Sequence, residues 1–346
     1  MRGFAALLVV VYHLQQYFPG RVIPGYLAVD LFFALSGFVI ALNYSHRLAA
    51  GLSVPRFVEA RLVRLFPLFL AGWMLGSAKQ IVGHLIGDER AMAWPRLAVA
   101  LVSNLLMLPT PASPVLFPLN GPAWSLFFEM VVNILFALAL CRARGREIVA
   151  VAAIAAVYLV ATIGAPEYFN VGWSWETALG GLARALYSFS VGILIFRFLD
   201  IGSRRVSPLS ALVVVLMIAP MALALPQGVR PEGELAFVLV LFPLLVIAGA
   251  RYEMMPALQG TADLLGDLSY PIYAIRWPLI ALMGPILAKA RLGIAASCLV
   301  YVATIVALGY LVARFFDAPV RRWVGDQLKA RSSPTRTPPS SAVDVA

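Results

Sequence analysis

The sequence predicts an all-α fold, a polytopic membrane helix bundle of about ten transmembrane helices with one re-entrant or interfacial segment, N-in and C-in. Three observations predict it. Of 346 residues, 61% are hydrophobic and only 13% charged, at a mean hydropathy of +0.87, whereas a soluble domain carries about a quarter charged residues. Apolar runs long enough to cross hydrocarbon recur along the chain, and the arginines gather in alternate loops. The net charge of +10 therefore reports orientation in a bilayer, and no nucleic-acid partner is expected.

Runs of about 17 to 23 apolar residues place spans near 3–19, 26–44, 62–83, 121–140, 147–164, 178–199, 208–226, 235–250, 269–288 and 294–316. The first has only Met1-Arg2 as a basic head and no small-residue cleavage site, so it reads as a span and not a secretory signal. Arg47, Arg56, Arg61 and Arg64 follow the second span, Arg142, Arg144 and Arg146 the fourth, Arg204 and Arg205 the sixth, and Arg321 through Arg331 the last. These loops share one side, the cytosolic one, which fixes both termini there; Lys289 and Arg291 are a small exception. The stretch 97–108 is too short to cross, and counting it as a span would invert every later loop, so it reads as re-entrant or interfacial. Tyr168, Phe169, Trp173 and Trp175 in the loop 164–177 look like an interfacial aromatic belt more than a binding box. Residues 1–330 thus form one integral-membrane domain, and the Ser-, Pro- and Thr-rich residues 331–346 a disordered cytoplasmic tail. Cys141 and Cys298 lack the spacing of a disulfide framework or a metal site.

Ionisable residues inside spans are costly and mark function by default. Arg2 and His13 lie eleven positions apart on one helical face, about three turns and ~16 Å of rise. A neutral imidazole that exchanges protons is the obvious general base; the bland alternative is a histidine hydrogen-bonded within a bundle. Asp30 sits early in the second span. Ser125, Glu129 and Asn133 repeat every four residues on one face of the fourth. Glu129 has a structural alternative, an ion pair with Arg184 or Arg276, both also inside spans. Arg61 and Arg64, one turn apart at the cytosolic mouth of the third span, suit the phosphates of a soluble co-substrate, although the positive-inside rule alone also accounts for them.

Taken in order, these residues form a pattern: Arg2 and His13; Val29-Asp30-Leu31-Phe32-Phe33 with Leu35-Ser36-Gly37-Phe38; Arg61 through Arg64 to Pro67; Trp124-Ser125-Leu126 with Glu129; and Ser269-Tyr270 with Tyr273. The chain resembles the membrane acyltransferase-3 family, from Arg2 to about Trp323. The resemblance implies a bacterial cytoplasmic-membrane O-acyltransferase of the stand-alone type, without the periplasmic esterase-like domain of longer members. It implies acyl-CoA, usually acetyl-CoA, as co-substrate and no permanently bound cofactor. Its acceptors would be polysaccharides or related, including lipid-linked, glycans. The family's histidine after Ser-Tyr-x-x-Tyr is Arg276 here, its glycine is Ala28, and its Glu-x-Pro is Asp317-Ala318-Pro319. Relatives carry several residues before the first arginine, so a natural start upstream of Met1 is expected.

The expected chemistry is acyl transfer from a thioester to a hydroxyl, with His13 as general base and an acyl-histidine intermediate left open. Arg2, Glu129 and Asp30 join His13 as catalytic candidates, the two carboxylates orienting it or binding the acceptor. Arg61 and Arg64 hold the CoA phosphates. Trp124, Ser125, Arg184 and Arg276 bind substrate or support the oxyanion. A transporter or lipid-linked sugar flippase would also show intramembrane charges, but transporters tend to be built from matching halves and no such repeat is present.

Overall fold

A computed structural model of the chain describes residues 1–15, 17, 24–163, 168–199, 205–207, 231–290 and 292–332. The expected span 208–226 and the tail beyond 332 lie outside the described residues. Ten helices are described. They are α1 (Arg2–Gln15), α2 (Ala28–Ala49), α3 (Val54–Leu85), α4 (Trp94–Leu105), α5 (Ala123–Leu135 with a π turn Phe136–Leu140), α6 (Gly145–Ala161), α7 (Ala178–Phe198), α8 (Pro231–Arg251), α9 (Pro256–Lys289) and α10 (Ile294–Val312, a π turn Ala313–Asp317, then Ala318–Ser332). Two-residue strands, β1 (Arg205–Val206) and β2 (Tyr252–Glu253), pair in parallel just beyond α7 and α8.

Seven of the described helices, α2, α3, α5, α7, α8, α9 and α10, are long and apolar enough to cross a bilayer. Of the other expected spans, 208–226 lies outside the described residues, and the helices at the first and fifth are short. Helix α1 has 14 residues and α6 has 17, about 21 and 25 Å at 1.5 Å per residue. Helix α4 has 12 residues, about 18 Å against ~30 Å of hydrocarbon. Its mate, the segment 106–122, turns sharply at Met107, whose φ of 57° is left-handed.

Helix starts follow local chemistry. Proline opens α3, α4 and α9, where its missing N–H costs nothing. At α6 the Arg144 N–H donates to Glu147 Oε2 at 2.9 Å. Helix α9 carries Pro271, Pro278 and Pro285 in its interior, each of which strips one carbonyl of its helical partner. The carbonyl freed by Pro278 is that of Ala274, and Asn120 Nδ2 donates to it at 3.1 Å.

Helix α7 packs along α2 and α6, with α5 and α8 beside them; α1, α3 and α10 pack on α9, and α1 also meets α2. Glycine permits the closest crossing. A Cβ on Gly37 would strike the Phe189 carbonyl oxygen, and one on Gly192 the Ala34 carbonyl oxygen, so α2 and α7 approach backbone to backbone. Between the two groups of helices lies a chain of cavities.

Candidate active site

At one end of the bundle, a cavity of about 790 Å³ is lined by six arginines, Arg2, Arg61, Arg64, Arg314, Arg321 and Arg322, against three carboxylates, Glu129, Asp267 and Asp317. The start of α1 and the far end of α10 both reach it. Arg2, Glu129, Ser269 and Tyr270 also line a throat of about 40 Å³, walled by Val29, Phe32, Phe33, Ser125, Leu126 and Tyr273. Val29 in turn lines a third cavity of about 300 Å³, with Val9, Tyr12, His13, Tyr26, Trp124, Asn170, Trp173, Arg184 and Trp277. Arg2 and His13 therefore open into the two end chambers, one at each end of α1.

His13 is held by its own helix. Its Nδ1 lies 2.7 Å from the Val9 carbonyl oxygen, and an acceptor there assigns the proton to Nδ1 and the lone pair to Nε2. Edge-to-face contacts with Tyr12, at 4.9 Å between ring centroids, and Trp277, at 5.2 Å, clamp the ring. The expectation that Asp30 or Glu129 orients it is corrected: the orienting group is a backbone carbonyl four residues back, because both carboxylates are engaged elsewhere.

Asp30 is fully buried and paired with the equally buried Arg184. Arg184 Nη2 donates to Asp30 Oδ2 at 2.6 Å and Nε reaches both carboxylate oxygens at 3.2 Å. Its remaining hydrogen bonds go to the Val171 and Tyr26 carbonyls, at 2.9 and 3.0 Å. The guanidinium lies 5.4 Å from the Trp124 ring centroid. These contacts engage four of the five N–H groups of Arg184, which leaves one Nη1 proton for the oxyanion role expected of it. It and Trp124 form a fixed wall of the imidazole chamber.

Glu129 Oε1 accepts from Ser36 Oγ at 2.8 Å and pairs with Arg61 Nη2 at 3.4 Å. Its ionic partner is thus Arg61, not Arg184 or Arg276, and Glu129 lines both the throat and the arginine chamber. Arg61 is buried, while Arg64 one turn on is exposed to the chamber, so the two arginines do different work. Asn133, the third residue of the polar stripe, is buried among apolar side chains. Asp317 pairs with Arg321 at the rim.

Arg276 is buried with its guanidinium 3.6 Å from the Tyr273 ring centroid and Nη1 donating to the Tyr273 carbonyl at 2.8 Å. Neither contact is a carboxylate, its Nε has no hydrogen-bond partner, and it lines none of the three cavities. Ser125 Oγ donates to the Pro122 carbonyl at 3.0 Å and shares a short hydrogen bond with the Tyr273 hydroxyl.

The aromatic loop is also corrected. Tyr168 and Phe169 are buried, and Asn170 and Trp173 line the imidazole chamber; only Trp175 is half exposed. The loop turns inward because the 106–122 segment pairs with it: Leu116 N–H donates to the Trp173 carbonyl at 2.9 Å, and Trp175 Nε1 to the Thr110 carbonyl at 2.9 Å. Burial pushes the Tyr168 phenol up to about 12, so it stays a donor, to the Leu159 carbonyl at 2.5 Å. Sequence reasoning missed two residues here: Tyr26, which lines the chamber, and Glu234, which is outside its lining and accepts from the Tyr26 hydroxyl and from Phe169 N–H. An acid at the lip of an apolar run was the signal for Glu234.

An arginine-rich chamber and a histidine-bearing chamber, each sharing lining residues with the small cavity between them, are parts that a membrane group-transfer enzyme needs. Residues 1–313 match the acyltransferase domain family Acyl_transf_3, and the chain belongs to that family. It is 41% identical to "Protein 2 in picA locus" of Rhizobium radiobacter, over 49% of this chain and 93% of that protein. It is 27% identical to acyltransferase MdmB of Streptomyces mycarofaciens, over 100% of this chain and 95% of that one. The exopolysaccharide production protein ExoZ of Rhizobium meliloti (strain 1021) is also 27% identical, over 78% and 80%. No solved structure matches.

Proposed function

We propose that the protein is an O-acyltransferase of the bacterial cytoplasmic membrane that moves an acyl group, acetyl by preference, from cytosolic acyl-CoA to a hydroxyl of a polysaccharide or lipid-linked glycan. The observation that carries the reading is the paired placement of Arg2 and His13, one facing a chamber rich in guanidinium groups, the other an aromatic chamber, with ~16 Å of helix between them. Clustered arginines favour the phosphates of CoA. A thioester on the end of a pantetheine arm would thread the throat to reach His13. The arginine-rich loops favour a cytosolic side for the donor chamber.

In the imidazole chamber, Trp124, Trp173, Trp277, Tyr12 and Tyr26 offer flat faces for a sugar ring, and Asn170 offers an amide. His13 Nε2 accepts the proton of the attacking hydroxyl, and the neutral tautomer set by Val9 suits that step. The exopolysaccharide link of ExoZ, a relative at 27% identity, supports a polysaccharide acceptor. The test uses proteoliposomes with labelled acetyl-CoA on the side of the arginine chamber and de-O-acylated surface polysaccharide of the source cells on the other. Ester label should appear in the polysaccharide with the unmodified protein and not with His13→Gln. Translocation of unmodified polysaccharide without consumption of acetyl-CoA would overturn the assignment.

A further inference from the structure

Attack of a hydroxyl on a thioester puts negative charge on the carbonyl oxygen, and that oxyanion needs donors. Guanidinium groups are poorly placed for it at the junction of throat and imidazole chamber: Arg184 is held by Asp30 and two carbonyls, Arg276 lines neither cavity, and Arg2 stands where the throat meets the arginine chamber. Of the hydroxyls lining the throat, Ser269 donates to the Gly266 carbonyl at 2.6 Å and Tyr270 to the Leu65 carbonyl at 2.5 Å. Ser125 and Tyr273 remain. They share a short hydrogen bond, and both lie within reach of one carbonyl, that of Pro122, at 3.0 and 3.2 Å. Two protons thus compete for one backbone acceptor and each other, an arrangement that releases one donor when a better acceptor arrives.

Position agrees. Trp277, whose ring touches His13, follows Tyr273 by one helical turn on α9, about 6 Å along the axis. Ser125 stands in the first turn of α5, whose N-terminal end is partially positive.

Resting on the acyltransferase reading, we propose that the hydroxyls of Tyr273 and Ser125 form the oxyanion-binding pair of this enzyme, with Arg276 as a positioning residue that pins the tyrosine ring. The acceptor oxygen bonds to the thioester carbon as its proton passes to His13 Nε2. The carbonyl π pair moves to oxygen, which takes the Tyr273 and Ser125 hydrogen bonds. Collapse restores C=O and breaks C–S, and the imidazolium proton passes to the departing CoA thiolate.

The test compares the unmodified protein, Tyr273→Phe and Ser125→Ala, each checked for monodisperse elution and melting temperature. The readouts are release of CoA thiol from acetyl-CoA with de-O-acylated surface polysaccharide as acceptor, and equilibrium binding of acetyl-CoA. Tyr273→Phe keeps the ring under Arg276 and removes only the hydroxyl, so kcat should fall by about 10²–10³-fold with acetyl-CoA binding unchanged. Ser125→Ala should lower kcat in the same way and serves alone if the tyrosine variant does not fold. Unaltered kcat in both folded variants, or a loss confined to acetyl-CoA binding, overturns the pair while leaving the acyltransferase reading intact. An unmodified protein that releases no CoA overturns both.

Discussion

Replacing Asp30 by asparagine tests whether the deepest ion pair in the protein is architecture or chemistry. Asparagine keeps the shape and one acceptor oxygen, but leaves Arg184, 1% exposed, with its charge uncompensated. Stranding one partner of a buried pair costs about 3–5 kcal/mol. The retained acceptor and the two backbone carbonyls on Arg184 argue for the lower end, about 3 kcal/mol. At about 2 °C per kcal/mol for a chain of this size, the melting temperature in detergent should drop by about 6 °C. Asp30→Leu combined with Arg184→Met removes both charges and should recover most of that loss. The assay is a thermal melt followed by fluorescence-detected size exclusion, with CoA release measured well below the transition. Activity of Asp30→Asn there should stay within about tenfold of the unmodified protein, since Asp30 lines none of the three cavities. An unshifted melt together with activity as low as that of a His13 variant would refute the architectural reading and return Asp30 to the chemistry.

Substituting His13 by glutamine should lower acyl transfer by about 10²–10⁴-fold with the fold intact; near-normal turnover would end the general-base assignment. Arg64→Ala should weaken acetyl-CoA binding by roughly tenfold or more without altering the melt, a charge-assisted contact contributing about 1.5–3 kcal/mol, whereas Arg61→Ala should lower the melting temperature because Glu129 is left unpaired. Isothermal titration separates those two effects. Gly192→Leu should force α2 and α7 apart at Ala34 and abolish monodisperse expression, at a cost of about 3 kcal/mol or more for overpacking; normal yield would show that the crossing tolerates side chains.

Local pattern in the sequence located the polar residues well but not their partners. The eleven-residue spacing of Arg2 and His13 was enough to put them on one face, because helical periodicity is a short-range property. That Asp30 belongs to Arg184 and Glu129 to Arg61 depends on how α2, α3, α5 and α7 cross, which periodicity does not encode. The same gap explains the aromatic loop: Trp173 and Trp175 carry identical side chains two residues apart, and only the pairing with 106–122 decides which one faces the chamber. Asn120 was legible in principle, since three interior prolines in α9 announced carbonyls in want of donors.

The throat described above has a consequence for bioenergetics. At about 40 Å³ it is far smaller than the arginine chamber of about 790 Å³ or the imidazole chamber of about 300 Å³. Phe32, Phe33 and Leu126 give part of its wall to hydrocarbon, while Arg2 and Glu129 set one fixed charge of each sign beside the passage. On the acyltransferase reading, a thioester arm would fill such a constriction as a plug while it delivers its cargo. Transfer through an energised membrane would then proceed with the passage obstructed, and the width that insulates the cell would also set the girth of what can be transferred.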